Sequence, residues 1–293
     1  MMNLKHSISL DKVVMPIVGF TCSWTFYSAY KEGTEPLLKQ TPASELEGSG
    51  ERRIELTPAI CRRLENQGYL VIDNFLTPVE VDDALTSIKS LKFHPSQNEK
   101  DGNQVRNDTV SFHSKTDDQC NVVRNHDGVS HIHNIFHRLS YDINNSSFNG
   151  FDNEDEENYK KSWLGVPSTM QVAMYDSIKK NEDESQKADE EGAYYEAHYD
   201  ACSDDFSSLG VIGWLKSLYL RKRYITCIIY LNPNWVCEDG GRLRMFQPTT
   251  DEYIDIEPKA GRLVLFSSVK MMHAVLPSFS KRLACTVWFT INK

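Results

Sequence analysis

"YITCIIYLNPNWVCEDGGRLRMFQP" occupies residues 224 to 248. It contains two short runs, "YITCIIYLN" and "GRLRMFQP", rich in β-branched and aromatic residues and parted by Pro, Asn, Asp and Gly. Runs of that length and composition, bounded by turn residues, read as strands. The pattern recurs on both sides, in "TMQVAMYDS", "YIDIEP", "GRLVLFSS", "HAVLP" and "RLACTVWFTI". Many short strands with turn signals between them close on themselves or stack as two sheets. A double-sheet jelly roll, or cupin-like barrel, is therefore the architecture expected for residues 168–292.

Upstream the period changes. In "TPAICRRLENQGYLVIDNFL" (57–76), Thr57 is a cap, Pro58 suits the first helical position and Gly68 closes the helix before a short apolar β-prone run. A second helix is expected from Thr77-Pro78 to about Leu91, with Val79, Val81, Leu85, Ile88 and Leu91 roughly on one face. "DTVSFHS" (108–114) reads as a strand and "VSHIHNIFHRLSYDI" (129–143) as a helix. The fold class is thus mostly β with N-terminal helices (α+β), a helical support over 57–145 carrying the jelly-roll core. Residues 1–52 form a separate segment and linker, and residues 53–293 the domain. Acidic stretches at 151–158 and 181–191 read as solvated loops.

Bulk properties narrow the function. The net charge is −9 and no long Lys/Arg stripe exists, so a nucleic-acid partner is not expected. Seven scattered cysteines without a CxxC pair argue against a disulfide scaffold and a structural zinc site, and for reduced thiols in the cytoplasm or nucleus. Residues 13–30 carry no charge and follow Lys5 and Lys12. That stretch is the one place for a membrane anchor or organelle-targeting segment, though it is short and polar for a span. A monomer is expected.

The chemistry sits in two motifs. "EAHYDA" (196–201) holds His198 and Asp200 one residue apart, and positions i and i+2 of a strand share a face. His273 follows 75 residues later, near another expected strand. Two imidazoles and one carboxylate make the facial triad that holds non-haem Fe(II) and leaves coordination positions open. Arg282 lies nine residues beyond His273, at the start of a strand. Its fork matches the far carboxylate of a dicarboxylate cosubstrate that chelates the metal by its other end. A rival cluster, "HIHNIFH" (131–137), puts His133 and His137 on one helix face without a Cys or Glu partner, and reads as a solvated helix.

On these motifs the chain resembles the 2-oxoglutarate/Fe(II) oxygenases, and within them the oxygen-sensing (HIF-type) prolyl 4-hydroxylases. The resemblance spans roughly 60–290. It is densest in the opening stretch, in "YIDIEPKAGRLVLFSS", "HAVLPSFSKRLACTVWF" and "GYLVIDNFL", and in "VRNDTVSF", which looks like the family's Arg-x-Asp strand near the substrate cleft. The resemblance implies His198, Asp200 and His273 as iron ligands and Arg282 as the partner of the 2-oxoglutarate carboxylate. It also implies Tyr175 and Tyr230 as cosubstrate-binding tyrosines and Ile228, Leu243, Val275 and Trp288 as apolar walls. Arg106 and Asp108 fall beside the substrate cleft. Fe(II), 2-oxoglutarate and O2 are the implied cofactor and cosubstrates, and ascorbate the reductant. The implied reaction is hydroxylation of prolyl residues of a protein, with release of succinate and CO2. An Asp at 200, in place of Gly or Ala, argues for hydroxylation over halogenation.

Two departures stand out. The loop between Tyr175 and His198 is long and acidic, and "ACSDDFSSLGVIGWLKSLYLRKR" (201–223) is longer than the family pattern. Within it Val211, Trp214, Leu215 and Leu218 have amphipathic helical spacing, either a helix packed on the outside of the barrel or a lid or docking surface beside the metal. Two other functions remain open from the residues alone: an oxygenase acting on a small molecule or another side chain, and a non-catalytic ligand-sensing barrel.

Overall fold

The chain enters its first helix through a hydroxyl cap. In the structure, a computed structural model, the Thr57 side chain accepts from the Ile60 N–H and opens α1 (Pro58–Gln67). Gly68 closes it in the left-handed conformation (φ 74°), its N–H donating to the Leu64 carbonyl at 2.9 Å. Strand β1 (Tyr69–Ile72) follows. Thr77 and Glu80 then form a capping box that starts α2 (Pro78–Ile88), Thr77 N–H donating to Glu80 Oε2 at 2.8 Å. The described residues are 56–96, 99–100, 103–114, 127–146, 148, 150–151, 163–176, 192–201, 223–248 and 250–292. The N-terminal segment with residues 13–30, the two acidic stretches beyond Phe151, and the apolar stripe of the 201–223 insertion lie outside them.

After α2 come β2 (His94–Pro95), the small hairpin β3 (Glu99–Lys100) and β4 (Asn103–Gln104), β5 (Thr109–Ser114) and α3 (Gly128–Asn144). The β domain follows: β6 (Trp163–Gly165), β7 (Thr169–Tyr175), β8 (Ala193–His198), β9 (Arg223–Tyr230), β10 (Leu243–Phe246), β11 (Tyr253–Ile256), β12 (Leu263–Ser267), β13 (His273–Ser278) and β14 (Arg282–Asn292). A large sheet runs β1-β12-β9-β14-β7-β5-β2, with β6 on the far end of β14, and a smaller one runs β11-β10-β13-β8. All the pairings are antiparallel. This is the two-sheet jelly roll with helical support that the strand pattern implies.

Period-two alternation sorts the core into two layers. Along β9 and β14, Ile225, Cys227, Ile229, Cys285, Val287 and Phe289 pack against the helices, with Ile132, Phe136 and Leu139 of α3 and Leu64 of α1. Between them, Ile228, Tyr230 and Ala284 face the other way and join Leu243 and Met245 of the smaller sheet. The helices approach closely: a Cβ on Gly128 would sit 2.4 Å from backbone atoms of Asp83 and Ala84, so only glycine starts α3 there.

Three expectations need correction. α2 stops at Ile88, and Val79 is 70% exposed, because the buried face is carried by Val81, Ala84 and Ile88. β1 is only four residues long, since Asn74 (φ 52°) turns the chain toward α2. The His133 face of α3 is not solvated: His133 is 1% exposed, and its Nε2–H donates to the Pro167 carbonyl at 3.1 Å. Among the described residues no helix is long and apolar enough to cross a membrane. Among the described residues, Cys61, Cys227 and Cys285 are free thiols.

The helix-to-sheet layer is the main buried apolar contact, and Ile132 is fully enclosed in it. Ile132→Ala should lower unfolding stability by about 2–5 kcal/mol, the usual range for a buried Ile truncated to Ala. The urea midpoint should fall with the slope m unchanged.

Candidate metal centre

His198 ends β8 and His273 begins β13, and the two are register partners across that ladder. Antiparallel pairing is what brings residues distant in sequence side by side. Their rings lie 4.3 Å apart between centroids. Asp200 closes the group, Oδ1 at 3.7 Å from His198 Nε2 and Oδ2 at 3.5 Å from His273 Nε2. One ligand atom from each lies within 4.8 Å of the others, and among the described residues no second such group of His, Cys, Asp or Glu exists. Asp200 does not share a strand face with His198, because β8 has ended and the chain bends at 200. Other contacts bring its carboxylate in.

Those contacts come from β9 and the end of β12. The Thr226 hydroxyl donates to Asp200 Oδ2 at 2.7 Å and lies 2.9 Å from Ser268 Oγ. The Ala201 N–H donates to the Ser268 carbonyl at 3.0 Å, and Arg223 Nη1 reaches the Asp200 carbonyl at 3.3 Å. Both imidazoles are held through Nδ1, His198 by the Glu196 carbonyl at 2.7 Å and His273 by the Met271 carbonyl at 3.1 Å. A carbonyl only accepts, so each Nδ1 carries a proton and each Nε2 is the nitrogen turned to the Asp200 side.

The electrostatics suit a cation. Burial alone would raise the Asp200 carboxyl, but His273, His198 and Arg223 outweigh it and hold the group far below the usual carboxylate range. Burial lowers His273 to about 4, against the opposing pull of Asp200. At neutral pH the group is therefore a carboxylate and a neutral buried imidazole, beside a second imidazole. Two imidazole nitrogen donors and one anionic oxygen donor match the set that holds non-haem Fe(II).

Arg282 opens β14 opposite Tyr175 and is 3% exposed. Its Nε–H donates to the Gly241 carbonyl at 2.7 Å, and its guanidinium carbon lies 4.7 Å from the Tyr175 ring centre and 5.0 Å from that of Tyr230. Gly241 (φ 69°) is required there, since a Cβ would come within 2.7 Å of Arg282 Cδ and Ser278 Oγ. Burial raises both tyrosine hydroxyls, keeping them protonated donors. Ile228 and Leu243 join Tyr230, Val264 and Phe266 in the apolar lining between the sheets. Val275 packs with Tyr175, Ala173 and Ala193. Trp288 stands apart from those clusters: it pairs in register with Thr226 and carries the Arg223 guanidinium 3.8 Å above its ring, at the metal end.

Thr226 and Tyr230 are four residues apart on one face of β9. At roughly 3.3 Å per residue that is about 13 Å along the strand. Thr226 touches Asp200 at one end, Tyr230 lies against Arg282 at the other, and Ile228 fills the middle. Arg106 and Asp108 form a buried bidentate pair, Nε to Oδ1 at 2.6 Å and Nη2 to Oδ2 at 2.5 Å, next to Tyr195. Sequence reasoning missed Thr226, Ser268, Tyr195 and Gly241. A hydroxyl two residues before Ile228 on the inward face was the available signal for Thr226. Nothing local marked Ser268.

Residues 184–290 match the model of the 2OG-Fe(II) oxygenase superfamily. A stretch of 69 residues is 45% identical to the hypoxia-inducible factor prolyl hydroxylase of Caenorhabditis elegans, covering 23% of this chain and 10% of that protein. The chain spans between a tenth and under a third of the length of the curated relatives it matches (10% to 29%). Among solved structures, a Trichoplax adhaerens prolyl hydroxylase, crystallised with a hypoxia-inducible factor peptide, aligns with a TM-score of 0.56 at 21% identity, over 78% of this chain and 86% of that one. A Pseudomonas putida prolyl-4-hydroxylase aligns with a TM-score of 0.53 at 23% identity, over 80% of this chain and 99% of that one. The fold is thus shared with these two prolyl hydroxylases.

The Thr226 hydroxyl is the one side chain donor to Asp200 Oδ2 described at this site. Thr226→Val keeps the shape and removes that bond. Divalent-metal affinity should fall by about 10- to 100-fold, the usual cost of losing an outer partner of a ligand. Calorimetric titration of the metal-free protein with Mn(II) reads it directly.

Proposed function

We propose that this chain is a non-haem Fe(II) and 2-oxoglutarate-dependent dioxygenase that hydroxylates prolyl residues of a protein substrate. The observation that carries the reading is the joining of two sites on one sheet face. His198, Asp200 and His273 converge at one end, and a buried arginine held between two tyrosines lies at the other. His198, Asp200 and His273 would hold Fe(II). Bound Fe(II) supplies the coupling of 2-oxoglutarate oxidation, to succinate and CO2, with transfer of one atom of O2 into a substrate C–H bond.

The protein's own part is binding and exclusion. Arg282 takes the far carboxylate of 2-oxoglutarate. The Gly241 carbonyl already occupies its Nε, which fixes the guanidinium plane. Tyr175 and Tyr230, kept protonated by burial, donate at the same end. Ile228, Leu243 and Val275 line an apolar interior that keeps water from the reacting centre. Trp288, partly exposed at the metal end, is suited to a wall shared by cosubstrate and substrate. A prolyl substrate is the choice supported by the 45% identity to a prolyl hydroxylase over 69 residues. Ascorbate serves as reductant. The domain acts as a monomer in the cytoplasm or nucleus, a setting in which the free thiols of Cys61, Cys227 and Cys285 persist. Membrane association, if the chain has any, belongs to residues 13–30.

The test is mass spectrometry of proline-containing peptides incubated with the protein, Fe(II), 2-oxoglutarate and ascorbate. A mass gain of one oxygen on proline is expected, with succinate formed only when Fe(II) is present. His198→Ala and His273→Ala should each abolish it, because two ligands do not hold the open facial geometry. Oxygen on another residue type would move the substrate class. Undiminished turnover in either variant would sink the metal assignment.

Arg282→Lys keeps the charge and loses the fork. The apparent KM for 2-oxoglutarate should rise by at least about tenfold while Mn(II) affinity stays at the wild-type value. An unaltered KM would mean that another cation holds the cosubstrate.

A further inference from the structure

Arg106 and Asp108 are 7% and 2% exposed; Arg106 Nε and Nη2 are taken by Asp108, and the Ser96 hydroxyl donates to Asp108 Oδ1 at 2.7 Å. What they do touch leads to His198 by two routes. Through the side chains, the Arg106 guanidinium carbon lies 4.3 Å from the centre of the Tyr195 ring, and that ring stacks on the His198 imidazole, 3.7 Å between centroids at an interplanar angle of 20°. Through the backbone, the Glu196 N–H donates to the Val105 carbonyl at 2.9 Å, and the Glu196 carbonyl accepts the His198 Nδ1–H at 2.7 Å.

The position of β8 makes both routes necessary. It is the outer strand of the smaller sheet, and its ladder with β13 is irregular, with register shifts between His273 and Val275 and between Val275 and Ser278. His198 is the last residue of that strand. An edge strand with a broken ladder leaves its terminal side chain poorly fixed. Residues 105–107 supply what the ladder lacks. Arg106 bridges Tyr195, the Asn107 N–H donates to the Tyr194 carbonyl at 3.3 Å, and the Tyr194 N–H donates to Asn107 Oδ1 at 2.6 Å. The buried ion pair with Asp108 then holds the guanidinium over the ring.

We infer that Arg106 and Asp108 are positioning residues for His198, acting through the Tyr195 ring and the Val105–Glu196 backbone contact, and are not substrate contacts. This rests on the reading of His198 as an iron ligand.

Co(II) is the probe. Metal-free protein is titrated with Co(II) and the visible d–d absorption gives the affinity, without turnover. Wild-type binding and its loss in His198→Ala test the ligand reading alone. If His198→Ala binds Co(II) as wild type does, that reading falls and the inference with it. Where that control holds, Tyr195→Leu and Arg106→Gln should each weaken Co(II) by about 10- to 100-fold. Tyr195→Phe, which keeps the ring, should restore the affinity and the wild-type band shape. Arg106→Gln leaves the Asp108 carboxylate buried without its partner, so its fold is checked by circular dichroism. If it fails to fold, Tyr195→Leu against Tyr195→Phe decides. Wild-type Co(II) affinity and spectrum in Tyr195→Leu, with a raised KM for the peptide, would overturn the inference and return this region to substrate binding.

Discussion

A strand buried on both faces serves two interiors at once, and β9 and β14 are such strands. One set of alternating residues must be apolar and bulky, because the helices rest on it. The other set must face the smaller sheet, and there it can afford function. Ile225, Cys227 and Ile229 belong to the first set, Thr226, Ile228 and Tyr230 to the second. The two sets are interleaved at every position. A slip of one residue in register would put Thr226 against the helices and Ile225 or Cys227 against Asp200. The helical layer therefore does more than add stability. It holds the register that keeps hydroxyl, apolar wall and tyrosine in line on the inner face.

Inside that face the cost of charge is met by pairing. Asp200, Arg282, Arg106 and Asp108 are all nearly inaccessible to water. Removing a charge from water costs several kcal/mol unless partners replace the hydration. Arg106 and Asp108 satisfy each other. Asp200 has Thr226 and two imidazoles, and Arg282 has a carbonyl and two aromatic rings. The last two keep unsatisfied electrostatic demand in a way the Arg106–Asp108 pair does not. A carboxylate flanked by two imidazole nitrogens is suited to a cation, and a guanidinium with a single backbone acceptor is suited to an anion. The contrast sets Asp200 and Arg282 apart from the Arg106–Asp108 pair, even though all four are comparably buried.

Much of this was legible from residue types and spacing. The strands of 168–292 declare themselves by β-branched runs between turns, and Thr57, Gly68 and Thr77 mark their helix ends by chemistry that acts within four residues. His198 and His273 were legible because imidazoles are rare and their neighbours are strand-like. Asp200 does lie beside His198 and His273, but its carboxylate arrives by a bend and by Thr226, and not by strand alternation. Ser268 was not legible, and Thr226 only by its place two residues before Ile228, since a hydroxyl becomes specific only through partners that lie 26 or more residues away; the Tyr195 ring was missed although its stacking partner His198 is three residues on. His133 failed for the opposite reason. A polar residue on a helix reads as solvated until tertiary packing places that face against a loop carbonyl, here Pro167.

The three best-fixed functional side chains share a device. His198, His273 and Arg282 are each tied to a main-chain carbonyl, of Glu196, Met271 and Gly241. A carbonyl within or beside a strand ladder cannot rotate away, so it orients its partner more strictly than a side chain would. It also leaves the identity of the holding residue free, because any amino acid offers the same carbonyl. Only where the backbone itself is strained does identity return, as at Gly241, where a side chain would collide with the arginine it supports. The geometry of these three side chains is thus written into the sheet pairing, so a choice of substrate would have to come from the loops outside it.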